Sequence, residues 1–167
     1  MQTYTSKETS INSVKLPAVY RKAKLKSAIV LDYGCGKYTD HIREALAGKT
    51  YLPFDPFNQP EEINSASADV VRDAMNRQEP VDVVCSNVLN VIDDDGTIRR
   101  IVDRIESIVE RTGGTAYFTV YEGNRSGEGR KTGADQYQRN EVLRSYLQFF
   151  RMKATIRNGM ITLRSRC

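Results

Sequence analysis

The segment from 29 to 40 constrains the fold of this chain more than any other. It reads Ile-Val-Leu-Asp-Tyr-Gly-Cys-Gly-Lys-Tyr-Thr-Asp, so an apolar run ends in an acid and two glycines follow one residue apart. The apolar run from 28 to 31 predicts a buried strand of a parallel sheet. Gly34 and Gly36 permit a tight turn and a close approach of the backbone to a ligand, and Thr39 is placed to cap the helix that follows. This order of elements is typical of the ligand-binding edge of an α/β sheet.

The rest of the chain alternates short apolar runs with amphipathic stretches, which predicts a mostly parallel sheet covered by helices. The predicted elements are a helix at 16–25, a helix ending at Gly48, strands at 50–54, 69–72, 81–85 and 115–121, helices at 96–111 and 140–150, and a hairpin of 152–157 with 160–164. The stretch from 66 to 75 fits a helical turn as well as it fits the strand at 69–72. We therefore expect one α/β domain over 1–167, a Rossmann-like three-layer sandwich with an antiparallel hairpin and a basic helical extension at 1–27.

Charge is segregated along the chain. Residues 1–31 carry six basic and one acidic side chain, residues 32–122 carry nine and seventeen, and residues 123–167 carry ten and three. The two basic flanks are therefore either ordinary solvated surface or a surface for a polyanion such as nucleic acid.

Composition excludes several classes of protein. Cys35, Cys85 and Cys167 are odd in number and lack metal-ligand spacing, so we expect reduced thiols and no metal site, with no role for the single histidine, His41. No apolar stretch approaches the ~20 residues of a membrane span, and the polar N-terminus has no signal-peptide core. We expect a cytoplasmic protein that does not enter a membrane.

The Asp-x-Gly-x-Gly pattern of 32–36, directly after a strand, resembles the first motif of the class I S-adenosylmethionine-dependent methyltransferases. The dinucleotide pattern Gly-x-Gly-x-x-Gly is not met, because position 39 is Thr. Further segments, at 15–22, 54–58, 85–92 and 127–130, resemble small phage-associated methyltransferases of this class. Part of the chain is also similar to methyltransferases encoded beside DNA phosphorothioation genes. The resemblance implies S-adenosylmethionine as the cofactor and leaves the methyl acceptor open.

The cofactor-binding residues follow from position and from the resemblance. Asp55 lies nineteen residues after Gly36, at the end of the second predicted strand, where a nucleotide-binding fold places a carboxylate for the ribose hydroxyls; a turn with Pro56 is the alternative interpretation. The resemblance assigns Asp73 to the adenine amino group, with an ordinary surface position as the alternative. Asp32 is expected to orient the glycine turn or to meet the amino group of the ligand. The full predicted set is Asp32, Gly34, Cys35, Gly36, Asp55, Pro56, Asp73, Asn87 and Val88.

Residues for the methyl acceptor are less distinct. The segment from 86 to 90 lacks the Asn/Asp-Pro-Pro-aromatic sequence of DNA amino-methyltransferases, and Cys85 lacks the preceding proline of a cytosine-C5 nucleophile. The glycine-rich segment from 121 to 140 combines cations, amides and aromatic rings, so we expect it to be mobile and to close over the acceptor. Arg130 is the expected anion clamp and Tyr137 the expected stacking surface. The predicted catalytic residues are Asn87, Tyr121, Glu122, Arg130 and Tyr137.

Three functions remain open from the sequence. The first is a methyltransferase that acts on nucleic acid or on a phosphate-bearing small molecule. The second is a module that binds S-adenosylmethionine, or only shares the fold, and acts through protein contacts. The third is an enzyme that cleaves the cofactor itself, which would need no acceptor site.

Overall fold

A computed structural model describes residues 15–133 and 136–165. The helices are α1 (Val19–Lys22), α2 (Asp40–Ala45), α3 (Glu61–Arg77) and α4 (Asp95–Thr112), with two 3-10 helices, η1 (Leu89–Val91) and η2 (Leu143–Phe149). The strands are β1 (Ile29–Tyr33), β2 (Thr50–Phe54), β3 (Val81–Ser86), β4 (Thr115–Thr119), β5 (Arg130–Gly133), β6 (Gln136–Gln138), β7 (Ala154–Arg157) and β8 (Met160–Arg164). The predicted α/β class is confirmed.

Six of these strands form one mostly parallel sheet in the order β2-β1-β3-β4-β8-β7. The first four are parallel, whereas β8 runs antiparallel to β4 and β7 antiparallel to β8. Ile29 of β1 is in register with Thr50 on one side and with Val81 on the other. After β1 the chain adds β2 on one side of it, and β3 then pairs with the other side of β1. The strand order therefore reverses between β1 and β3, and a crevice lies beyond their carboxyl ends.

Successive strand residues face opposite sides of the sheet, and helices cover both sides. On β1, Leu31 belongs to the larger buried cluster, which includes residues of α3, α4 and η2. Val30 belongs to the second cluster, to which α1 contributes Val19 and α2 contributes Ile42. Val19 is only 1% exposed. The described part of the predicted 1–27 extension, residues 15–27, therefore packs on the sheet; residues 1–14 lie outside the described residues.

The elements with the clearest local signals form as predicted. Helix α4 begins after Asp94, whose carboxylate accepts from the Thr97 backbone N–H at 2.7 Å, and ends at Gly113 in the left-handed region. In the β7–β8 hairpin Asn158 and Gly159 have φ of 54° and 71°, as a type I′ turn requires.

The predicted strand at 69–72 is wrong, and the helical alternative for 66–75 is confirmed within the longer α3. Its buried residues Ser67, Val71 and Ala74 recur at helical spacing. Pro60 precedes the helix and Gln78 ends it with a φ of 54°. The β-branched pair at 70–71 suggested a strand, but the burial pattern follows the 3.6-residue period.

Two other predicted helices differ in extent or type. Helix α1 ends at Lys22 because the chain becomes extended at Ala23, and Lys26 and Ser27 then donate backbone N–H groups to the buried carboxylate of Asp82. The helix predicted at 140–150 is the 3-10 helix η2. Its buried residues, Leu143, Tyr146 and Phe149, are three positions apart, which matches three residues per turn.

The glycine-rich segment at 121–140 contains the paired strands β5 and β6, so the loop predicted at 122–133 ends in a strand. Asn140 fixes the start of the segment: its amide group donates to the Glu128 carbonyl at 2.9 Å, and its backbone carbonyl accepts from Gly127 at 2.9 Å. Two residues between the strands, 134 and 135, lie outside the described residues. These hydrogen bonds join Gly127, Glu128 and Asn140, and the closure of the segment over an acceptor stays a prediction.

Candidate ligand-binding cleft

A cleft of about 930 Å³ opens beyond the carboxyl ends of the parallel strands. Its lining includes the turns after β1 and β2, the residues after β3, part of α4, and residues of α1 and α2. The position is the one that the reversal of strand order predicts for a ligand site. Its volume lies in the upper part of the range of about 300–1,000 Å³ that is usual for small-molecule sites.

The glycine turn after β1 is fixed by contacts with its neighbours. Gly34 and Gly36 have φ of +79° and +75°. A Cβ added to Gly34 would lie 2.3 Å from a methyl group of Val88, so this position requires glycine for space as well as for its backbone conformation.

The backbone N–H groups of this turn are already bonded. Gly34 and Cys35 donate to the Phe54 carbonyl at 2.7 and 3.2 Å, and Gly36 donates to the Asp55 carboxylate at 2.9 Å. A phosphate-binding turn offers such N–H groups to the ligand. These three N–H groups are therefore not available to hold phosphate oxygens.

Asp55 connects the glycine turn to the turn after β2. Besides the Gly36 N–H, its carboxylate accepts from the backbone of Phe57 at 2.9 Å and of Asn58 at 3.0 Å, and from Asn58 Nδ2 at 3.2 Å. The backbone N–H of Asp55 donates to Oδ1 of Asn64 on α3 at 2.8 Å, and Asn64 Nδ2 donates to the Asp55 carbonyl at 3.0 Å. Asp55 is only 6% exposed, and four donors occupy its roughly four lone-pair sites.

Asp32 is the second buried carboxyl of the cleft. It is 3% exposed and accepts a hydrogen bond from the Tyr51 hydroxyl at 2.7 Å. Burial raises the pKa of Asp32 to about 6, and the hydrogen bond from Tyr51 limits that rise. The Tyr20 hydroxyl is also buried beside this carboxyl and contributes to limiting the rise in its pKa. A ligand ammonium group would be a suitable partner for the ionised carboxylate.

The two described cysteines are free thiols, as predicted, and Cys167 lies outside the described residues. Burial raises the pKa of both Cys35 and Cys85 well above its ordinary value. Neither is therefore a thiolate at neutral pH.

The residues after β3 bring polar groups to the cleft. Asn87 has a φ of 56°, which is uncommon outside glycine, and its N–H donates to the Thr119 carbonyl at 2.8 Å. Val88 packs on the glycine turn, and Ser86 is bonded through its hydroxyl to that of Thr119 at 3.0 Å. A non-glycine residue in this conformation beside a cleft is a feature of functional sites.

The structure brings most of the predicted site residues together. The cleft lining includes Asp32, Gly34, Cys35, Gly36, Asp55, Pro56, Asn87, Val88 and Tyr121. Asp73 does not line it, since it is exposed on α3; the strand whose end would have placed it at an adenine does not exist.

Three predicted catalytic residues also lie outside the cleft lining. Glu122 holds the start of η2 by accepting from the Leu143 N–H at 2.7 Å, and it pairs with Arg125 at 2.7 Å. Arg130 is exposed on β5, and Tyr137 packs beside Gly129. These side chains belong to the β5–β6 hairpin and its connections, and the roles of Arg130 as anion clamp and of Tyr137 as stacking surface stay predictions.

Other cleft residues were missed by sequence reasoning. They are Tyr20, Arg100 and Arg104, together with His41, for which no role was expected. A usable signal existed on α4, where Thr97, Arg100 and Arg104 recur at spacings of three and four and mark one face of the helix. Asn90 and Gln138 lie in segments that were expected at the cleft, but their contact with each other follows only from the pairing of distant segments.

Within the described residues, no cluster of His, Cys, Asp and Glu has the composition of a metal site. No helix in the described ranges is long and apolar enough to cross a membrane. In comparisons with protein-family models, curated proteins and solved structures, no match to this chain was found.

Proposed function

We propose that the protein is an S-adenosylmethionine-dependent methyltransferase with a Rossmann-like fold, acting on nucleic acid or on a phosphate-bearing small molecule. The observation that carries the proposal is the glycine turn at the reversal of strand order, flanked by two buried carboxyls while its N–H groups are internally bonded. S-adenosylmethionine is a nucleoside joined to an amino acid and has no phosphate. A cleft with carboxyl groups and no phosphate cradle suits it better than it suits a dinucleotide.

Each carboxyl has a role in this proposal. The ionised Asp32 receives the ammonium group of the amino-acid part, and the Tyr51 hydroxyl keeps its orientation. Asp55 receives the ribose hydroxyls. Because its oxygens already accept four hydrogen bonds, a ribose hydroxyl replaces the longest of them, from Asn58 Nδ2 at 3.2 Å.

The cofactor supplies a methyl group on a positively charged sulfur, which an acceptor displaces in line. The protein's task is to align the acceptor, which accounts for much of the rate enhancement in such reactions. Asn87 and Tyr121 line the cleft after β3 and β4 and are the proposed positioning groups. His41 also lines the cleft, and its imidazole is the proposed group to remove a proton from an acceptor that must lose one.

A second candidate is a module that binds the cofactor without transferring methyl. It is favoured by the location of Glu122, Arg130 and Tyr137, three of the five predicted catalytic residues, outside the cleft lining.

The test of the cofactor site is calorimetric titration of the full chain with S-adenosylmethionine and with its demethylated product. We expect both to bind, and we expect Asp55→Asn to weaken binding by about tenfold through loss of a charge-assisted hydrogen bond. Asp73→Asn is the matched control, because it makes the same change on the exposed face of α3 and should leave the affinity unchanged. No heat with either ligand, for a wild-type chain shown to be folded, would refute the cofactor assignment.

Transfer is tested separately, with isotopically labelled methyl and extracts of DNA, RNA and small metabolites. Label in a covalent product supports the methyltransferase. Binding without any labelled product supports the binding module.

A further inference from the structure

The cleft has a second region, which the glycine turn and the two carboxyls do not use. It is formed by residues from η1, α4 and β6: Asn90, Thr97, Arg100, Ile101, Arg104 and Gln138. We call this region the α4 lobe. We propose that the α4 lobe binds a nucleotide, with Asn90 accepting a hydrogen bond from an amino group of the base and Arg104 and Arg100 binding the phosphate. That this nucleotide is the methyl acceptor rests on the proposed function, whereas its binding does not.

Asn90 has one polar atom left for a ligand. It is 2% exposed; its Nδ2 donates to Gln138 Oε1 at 3.1 Å, and its backbone carbonyl accepts from the Arg139 N–H at 2.9 Å. Its Oδ1 is buried and has no donor among the described residues. A buried acceptor without a donor is unfavourable, and a ligand N–H group would remove that cost.

The orientation of the Asn90 amide follows from the hydrogen-bond network. Gln138 Nε2 donates to the Tyr121 carbonyl at 2.8 Å, and a carbonyl can only accept. The side-chain oxygen of Gln138 therefore faces Asn90, and the Asn90 atom that donates to it is Nδ2. The unbonded atom of Asn90 is consequently an oxygen, which selects a ligand with a hydrogen-bond donor.

Arg104 provides a cation for an anionic group. Its guanidinium lies 5.0 Å from the centre of the Phe54 ring and 5.9 Å from that of Tyr33, and it makes no ion pair with a described carboxylate. Arg100, one helical turn earlier, is held by the Thr97 hydroxyl at 2.7 Å, with Asp94 at 3.6 Å. Two guanidinium groups on one face of a helix can bind a phosphate together.

Three exposed aromatic rings complete the case for a nucleotide. Tyr38, Phe57 and Tyr121 line the cleft with exposed fractions of 41%, 43% and 64%. Gln138 bonds both Asn90 and the backbone carbonyl of Tyr121, so Tyr121 and Asn90 lie in the same part of the cleft, and the exposed Tyr121 ring is the proposed stacking surface for a base. A base, a hydrogen-bond donor and an anion together describe a nucleotide whose base has an exocyclic amine.

The test compares three probes on the wild-type chain by calorimetry at low salt: cytidine 5′-monophosphate, uridine 5′-monophosphate and cytidine. The two nucleotides differ chiefly in presenting an amine or a carbonyl group to Asn90, and cytidine lacks the phosphate. We expect cytidine monophosphate to bind about tenfold more tightly than either of the others. Equal affinity of the two nucleotides would overturn the role of Asn90 without any variant that might fail to fold.

Arg104→Gln should lower the affinity for cytidine monophosphate about tenfold and leave that for cytidine unchanged. Arg111→Gln is the matched control, since it removes the same charge from the far end of α4, outside the cleft lining. An equal loss in both variants, or no loss in Arg104→Gln, would overturn the phosphate site.

Two further measurements separate the remaining outcomes. A single-stranded cytosine hexamer presents the same groups as the free nucleotide. If the hexamer binds much more tightly and its affinity depends on salt, the ligand is a strand; if the two affinities are similar, the ligand is the free nucleotide.

Titration with the demethylated cofactor is made in parallel. Nucleotide binding without cofactor binding supports the α4 lobe and refutes the proposed function, and the reverse result refutes the lobe alone.

Discussion

At the scale of single residues, Asp32 shows how one buried carboxyl links stability to ligand binding. The group is 3% exposed, and hydrogen bonds such as the one from Tyr51 do not replace the water that its charged form would have outside the fold. Its raised pKa means that the folded chain holds this proton more tightly than the unfolded chain. A ligand ammonium group would reverse the preference, because it stabilises the carboxylate.

The first prediction is that Asp32 makes the protein less stable as pH rises from about 4 to about 6. Below the unfolded pKa of 3.8 the carboxyl is protonated in both states, and its contribution to stability is fully present. Between 3.8 and about 6 the unfolded chain loses the proton first, so the free energy of unfolding falls, by about 3 kcal/mol in total. Asp32→Asn removes this fall and keeps an oxygen for Tyr51.

Urea denaturation of both proteins across this pH range checks the prediction. The difference in the free energy of unfolding between the variant and the wild type should grow with pH and level off above about 6. A constant difference would show that the folded and unfolded pKa values of Asp32 are alike.

At the scale of elements, the glycine turn after β1 depends on the segment that follows β3. Gly34 needs its left-handed conformation and also the space that Val88 leaves next to it. Gly48, after α2, has a similar φ of +88° but nothing within 4 Å of an added Cβ. Alanine substitutions at the two positions therefore separate the free-energy cost of the left-handed conformation from the cost of the steric contact with Val88.

The second prediction is that Gly34→Ala destabilises the protein more than Gly48→Ala. Both substitutions force an alanine into the left-handed region, at about 1–2 kcal/mol. Only the first also places a methyl group against Val88, which adds about 1–3 kcal/mol of overpacking. Thermal or urea unfolding of the two variants measures the difference, and Val88→Ala in the Gly34→Ala background should recover part of it. Equal destabilisation would mean that Val88 moves away at no cost.

Elements with a complete local signal were predictable. Helix α4 has an acidic cap, a regular apolar stripe and a glycine end, and the β7–β8 hairpin has an Asn-Gly turn. Helix α3 was assigned in part to a strand because only its long-range packing shows which of its residues are buried. The β5–β6 hairpin was missed because its residues are mostly exposed and carry no alternating pattern.

The same difference between local signals and long-range packing explains which residues of the candidate site could be predicted from the sequence. The carboxyls and glycines next to β1 and β2 were found because the motif is contiguous in sequence. Arg139 was not found, although it is 8% exposed and connects β6 to α4 through Asp95 at 2.7 Å and to the Ile92 carbonyl at 3.0 Å. One partner, Glu141, is two positions away, but Asp95 and Ile92 lie more than forty positions away, so only the fold shows that Arg139 is buried.

At the scale of the whole molecule, some of the basic residues of the N-terminal flank lie at the cleft. The described basic residues of the N-terminal flank include Lys15 and Arg21, which line the cleft, while the carboxyls lie inside it. Other cations, Arg151, Lys153 and Arg164, line a separate groove of about 660 Å³ beside β7 and β8. The basic flanks therefore contribute to more than one surface.

The third prediction is that any binding of nucleic acid by this protein weakens steeply as salt is raised. Arg21→Gln combined with Lys22→Gln should reduce the slope of log affinity against log salt by roughly 1.4–1.8, if both side chains contact phosphates. Arg72→Gln combined with Arg77→Gln is the control, because both residues are exposed on α3 and paired with acids. The measurement is fluorescence anisotropy of a labelled oligonucleotide, and absence of binding at about 50 mM salt would leave the flanks as ordinary surface.

The position of β8 in the sheet has a consequence for the growing chain. Strand β8 lies between β4 and β7, and its Ile161 and Leu163 are fully buried, yet β4 is translated about forty residues earlier. At about 5–20 residues per second, the open edge of β4 waits roughly 2–8 seconds on the ribosome before its partner is made. Until β8 pairs with it, one edge of β4 has no partner strand, and such an edge can pair with another chain. The antiparallel pair of β4 and β8 can form only after residue 164 has been synthesised, so closing this edge is a late step in folding.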